Sequence, residues 1–188
     1  MSTGVISTVA GTGDPMGGYN GDNIQATAAT LNNPHDVVLD SFGNIYISDR
    51  DNCRIRKVDV STGLITTVVG TGVSASTGDD SASTSATISG TCQIRFDIGG
   101  NLYISECNGA RIRKATNIAS PQPTQYPTSS PSTTAPLSII TTIAGTGISS
   151  YSGDDGPATA AELYKPFGVR VDTAGVHPSN YLCTSRTN

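Results

Sequence analysis

The sequence predicts an all-β chain built from repeated four-stranded units, and three observations carry that prediction. Charged residues make up only 14% of the 188 residues, against about 25% in a typical soluble protein. Ser and Thr fill the gap at 47 of 188, which favours strands and turns over charged helices. Second, strings recur at long, near-constant spacing: ISTVAGTG from Ile6 returns as ITTVVGTG from Ile65 and ITTIAGTG from Ile140, the mark of stacked supersecondary units. Third, the apolar runs are only four to six residues long, and Asp, Gly and Asn bound them as they bound strands.

The elements follow in order. An opening outer strand is expected at Val5 to Gly11. The first full unit holds VVLD from Val37, NIYIS from Asn44, RIRKV from Arg54 and LITTVV from Leu64. DSFGN from Asp40 joins the first two runs and VDVSTG from Val58 the last two, both rich in residues that close hairpins. The second unit repeats GNLYIS from Gly100 and RIRK from Arg111, each 57 residues on. The connection from Thr71 to Gly90 runs from an outer strand to the next inner strand. The Ala-rich strings after Gln25 and Pro157 predict one short helical turn each, with Pro157 suited to a first helical position. Residues 120–136 carry five Pro and eight Ser/Thr in 17 residues, a low-complexity insertion expected to form an exposed loop. Four antiparallel strands per unit, repeated, describe β-propeller blades.

GNIYISDRDNCRIRKVD followed by TGLITTVVGTG resembles an NHL repeat. GYNGDNIQATAATLNNPHDVVLD and YSGDDGPATAAELYKPFGVRVD resemble its long-loop variety. The resemblance divides the chain into blade sequence over 4–116, the Ser/Thr/Pro-rich insertion over 117–136, an outer strand with the start of a third unit over 137–175, and a non-matching tail over 176–188. It implies a propeller, usually of six blades, that acts as a platform for protein or ligand binding. It also implies the competing reading, since related propellers include metal-dependent lyases and hydrolases with ligands near the central axis.

The unit count is short for a closed ring, which takes about four blades or more. VRVD from Val169 continues into VHPSNYLCTSRTN rather than into another strand copy. The expectation is a truncated product whose tail is out of frame or intron-derived, with a splice variant as the alternative. An open arc of blades exposes apolar faces and unpaired edges, so self-assembly to close the propeller is expected.

Four features could carry chemistry. Cys53, Cys92, Cys107 and Cys183 form no CxxC or Cys/His cluster, which argues against zinc. If Asp97 faces Leu102 across its hairpin, Cys92 faces Cys107, and a cross-strand disulfide is predicted; His35 and Arg50 fill the same slots in the first unit. Asp22, Asp79, Asp80, Asp154 and Asp155 occupy equivalent acidic loops and are the candidate binding residues. The spacing of a calcium loop is missing, and turn-forming Asp residues are the simpler reading. The RIRK strings supply six of the eleven positive charges. Alternation puts Arg54 and Arg56 on one strand face, and pairing with neighbouring Asp residues is expected.

Net charge is −4 and interleaved aromatics are missing, so nucleic acid is not an expected partner. No 18-residue apolar run is present, so membrane insertion is not expected. No G-x-S-x-G, Walker A or HExxH pattern is present. Only His35 stands near the start of an inner strand, so catalytic residues, a metal and a cofactor are not expected. The partner is a protein of unknown identity. The N-terminus shows no basic start ahead of a long apolar core, and the Ser/Thr/Pro stretch resembles stalks of surface proteins. A secreted or cell-surface parent is the preferred reading.

Overall fold

The computed structural model describes residues 4–119 and 137–171. In chain order the strands are β1 (Ile24–Gln25), β2 (Pro34–Leu39), β3 (Ile45–Asp49), β4 (Arg54–Val58), β5 (Leu64–Val69), β6 (Ser81–Ala82), β7 (Thr91–Phe96), β8 (Leu102–Glu106), β9 (Arg111–Ala115) and β10 (Ile139–Ala144). They form two antiparallel sheets in the orders β1-β5-β4-β3-β2 and β6-β10-β9-β8-β7. Each is a four-stranded blade with a two-residue strand added at its outer edge. That added strand comes from the long connection preceding the blade's inner strand. It pairs Ile24 with Ile65 in one blade and Ala82 with Ile139 in the other, so the outermost edge, an aggregation hazard if bare, is capped within the chain. The two blades lie side by side, and among the described residues they do not close into a ring.

The hairpins form where the sequence places them. Asp40 Oδ1 accepts the amides of Phe42 and Asn44 at 2.9 Å each, while Asn44 Nδ2 donates to Asp40 Oδ2 at 2.9 Å. Asp97 and Asn101 repeat the arrangement. A side chain that bonds its own backbone two to four residues on mimics a turn, which is why Asp and Asn recur there. Asp59 caps Ser61 and Thr62 in the next turn. The Ala-rich strings form one 3-10 turn each, Ala26–Ala28 and Ala158–Ala160, with Pro157 just ahead of the second as its N-cap.

Two expectations need correction. Residues 4–10 form no strand. They lie as coil because no described strand stands beside them to accept their ladder bonds. Ala10 nevertheless packs on the first blade among Ala26, Ala29, Ile47 and Ile65, as Val69 packs on the second. The β7–β8 register is also one residue from the expected one. The Asp97 amide bonds the Asn101 carbonyl at 3.0 Å, and Phe96, not Asp97, faces Leu102. The insertion lies between β9 and β10, where the first blade has a tight turn; residues 120–136 and the tail 176–188 fall outside the described residues.

The main core sits between the blades. Tyr46, Ile55 and Val69 of the first pack on Ile94, Leu102 and Ile104 of the second, with Ala86 and Ile88 of the connection between them. Tyr46 meets Phe96 edge-on at 4.8 Å, and its hydroxyl donates toward Asp40 Oδ2 and Ile118 O at 3.2 Å. Polar latches join the blades as well. Asp36 Oδ2 accepts the Ile94 amide at 2.9 Å and Arg95 Nη1 at 2.6 Å. Gln93, one repeat later, accepts the Val169 amide at 3.0 Å. The same joint is therefore made twice, the second time to the start of a third unit.

Candidate functional site

Two surface features recur or end abruptly with the repeat, and both begin with the RIRK strands. Arg56 and Arg113 sit mid-strand with side chains 0% exposed. A buried guanidinium needs counter-charge and acceptors, and each blade supplies them in the same way. Arg56 Nη2 donates to Gly21 O at 2.7 Å and Asp22 Oδ1 at 3.0 Å, with Asp49 Oδ2 3.5 Å from Nη1. Arg113 Nη2 meets Asp79 Oδ1 at 2.7 Å and Nη1 meets Glu106 Oε1 at 3.2 Å. Burial pushes the carboxyls of Asp49 and Glu106 up from their ordinary values, and hydrogen bonds and the arginines oppose that rise only in part.

The first arginine of each string works outward. Arg54 lies 3.8 Å over the Tyr19 ring, and Arg56 lies 4.9 Å from it. Arg54 also donates to Thr71 O at 2.7 Å, and Arg111 donates to Thr146 O at 2.9 Å. Both carbonyls belong to the Gly-Thr-Gly strings. Gly72 and Gly147 have φ +93° and +91°, and a Cβ at either would overlap the arginine beside it. Those strings are turns built to let a guanidinium approach the backbone.

The five acidic candidates are not gathered into one site. Asp22 and Asp79 are engaged by Arg56 and Arg113, with Asp22 also accepting from Thr67 Oγ1 at 3.0 Å. Asp80 and Asp155 are exposed, both with φ near +62°. Asp154 accepts only from Tyr151 Oη, at 2.9 Å. Among the described residues, no group of three or more His, Cys, Asp or Glu is placed to hold a metal. His35 Nδ1 lies 3.1 Å from Cys92 O and its ring meets Phe167 edge-on at 5.3 Å.

Cys92 and Cys107 are joined by a disulfide. Its geometry differs from direct opposition. Cys92 is the extra residue of a bulge between the Thr91–Glu106 and Gln93–Ser105 pairs, and Cys107 lies one residue past the end of β8. The Cys107 amide returns to Gly90 O at 3.0 Å. Cys53 is a free, buried thiol.

The second feature is the outer face of the first blade. In the second blade this face carries Ile94, Leu102 and Ile104, all 0% exposed beneath the first blade. Their counterparts are Val37, Ile45 and Ile47, with Leu39 alongside. Val37 is 55% and Leu39 61% exposed. Together with Val9, Leu31 and His35 they line an open groove.

Sequence reasoning missed Tyr19, Asp36, Asp49 and Glu106. The last two were readable as an acid in the same slot, YISD and YISE.

Residues 3–96, half of the chain, match the family model described as Teneurin NHL domain. Teneurin-1 of Gallus gallus is 39% identical over 69 residues, 35% of this chain and 2% of that protein. Teneurin-4 of Mus musculus is 44% identical over 66 residues, 33% of this chain and 2% of that protein. The chain thus spans a very small part of the relatives it matches. Among solved structures, one named as a candidate phosphatase from Bacteroides thetaiotaomicron superposes with TM-score 0.55 at 19% identity, over 79% of this chain and 32% of that one. An auxiliary nutrient binding protein from Bacteroides ovatus gives TM-score 0.55 at 19% identity, over 79% and 34%. These likenesses speak to fold alone.

Proposed function

We propose, for a chain that belongs to the Teneurin NHL domain family, that it works as a non-catalytic interaction scaffold whose open blade face takes up another protein surface. The observation that carries this reading is the uncovered outer face of the first blade. Its counterpart in the second blade is fully buried, and its own Val37 and Leu39 stand more than half exposed. Burying a side chain of this size is worth about 1.5–3 kcal/mol, so covering both offers several kcal/mol to whatever docks. The occupant we favour is a second copy, since a blade face is the one surface this face demonstrably resembles a receptor for. The buried acids support a non-catalytic reading, because both are committed to the arginines inside their own blades.

Sedimentation over a wide concentration range tests the reading. Association that strengthens with concentration in the wild-type chain and is lost in Leu39→Asp is the expected result. A wild-type chain that stays monomeric throughout, indistinguishable from Leu39→Asp, contradicts assembly through this face.

A further inference from the structure

The third long loop repeats the arginine-holding loop of the first blade but holds no arginine. In all three copies the loop is closed by the same contact. Asn20 bonds the amide of Thr30, Thr77 bridges Thr87, and Ser152 bridges Glu162. In all three an Asp follows the Gly of that turn: Asp22, Asp79 and Asp154. Twice this Asp takes the second arginine of an RIRK strand, at 3.0 and 2.7 Å. In the first copy Tyr19 also stacks beneath both arginines and is 39% exposed. Its counterpart Tyr151 is 76% exposed. Tyr151 and Asp154 hydrogen-bond to each other and, with Glu162, Leu163, Tyr164 and Pro166, line a cleft of about 120 Å³.

We infer that this cleft is a receptor for an arginine-bearing extended segment of the Arg-apolar-Arg type, supplied by a separate polypeptide. A planar guanidinium satisfies a carboxylate and stacks on a ring at once, which an ammonium does not. The chain's own RIRK arginines do not serve in trans, because Arg56 and Arg113 are buried inside their blades. The only arginine beyond the described residues is Arg186, which has no arginine two positions away. The partner is therefore neither a second folded copy nor the chain's own tail. The inference names a partner class for the scaffold reading and rests on it.

The test titrates the full chain with a synthetic peptide of the sequence RIRKVDV, following amide shifts by NMR. Saturable shifts centred on Tyr151, Asp154 and Glu162 are expected. Asp154→Asn and Tyr151→Ala, both at exposed positions, should each weaken binding by about tenfold, and replacing both peptide arginines by lysine should do the same. Equal binding of the lysine peptide, or shifts spread over the surface, would overturn the inference as mere charge attraction; so would the absence of shifts. If the peptide fails while the wild-type chain still associates through Leu39, this inference falls and the scaffold reading stands.

Discussion

At the scale of single residues, the largest electrostatic cost is the pair of buried carboxyls. Glu106 is fully buried, and desolvation outweighs its bonds to Ser89 and Arg113, so its folded-state pKa is raised. The sign of the consequence is fixed. A carboxyl with a raised folded pKa holds its proton longer in the folded chain than in the unfolded one. Its contribution to stability is fully present below the unfolded value and is lost as pH rises through the folded value. Urea unfolding of wild type and Glu106→Gln, followed from neutral pH down to about pH 4.5, should therefore show wild type gaining stability relative to the variant as pH falls. A difference that stays flat across that range would contradict the burial-driven shift. Arg113 and Asp79 make this arrangement workable by placing positive charge beside Glu106 and a second carboxylate at the surface end. Asp49, Arg56 and Asp22 repeat it.

At the scale of elements, the disulfide ties the start of the second blade's inner strand to the end of the next. It closes a separation of 15 residues, and a closure of that size constrains the unfolded chain by about 3 kcal/mol. Cys92→Ser with Cys107→Ser should lower urea stability by about 2–4 kcal/mol without changing the blade packing. In the wild-type chain, thiol labelling under denaturing, non-reducing conditions should mark Cys53 and leave Cys92 and Cys107 unmarked. Labelling of all three would contradict the bond. The hairpins were legible because Asp-x-x-Gly-Asn writes its own turn, and the RIRK strands because alternation puts two arginines on one face. The disulfide was legible as a pair, but its register was not. A bulge depends on which strand absorbs an extra residue, and His35 in the first blade carries the same bulge with no cysteine to announce it. The opening strand was misjudged for a related reason. Its sequence is that of a strand, but a strand needs a neighbour, and none is described beside residues 4–10. Asp49 and Glu106 escaped notice because an acid at the end of a strand carries no motif until a buried arginine is found across from it.

At the scale of the whole molecule, the joint between blades explains both what holds and what is left open. Each blade face is covered partly by its own long loop and partly by the blade before it. Ala86 and Ile88 of the loop, with Tyr46, Ile55 and Val69 of the first blade, cover the second. The first blade has the loop half of that cover, in Ala26, Ala29 and Leu31, and lacks the blade half. The central claim is that this missing half is where the chain meets its partner surface. Hydrogen exchange by mass spectrometry, at low and high chain concentration, tests it most directly. The account predicts that β3, β4, β8 and β9 are protected at both concentrations, and that protection of residues 4–10 and 37–39 is low when dilute and rises on association. Residues 4–10 and 37–39 remaining equally unprotected while some other surface becomes protected would contradict it.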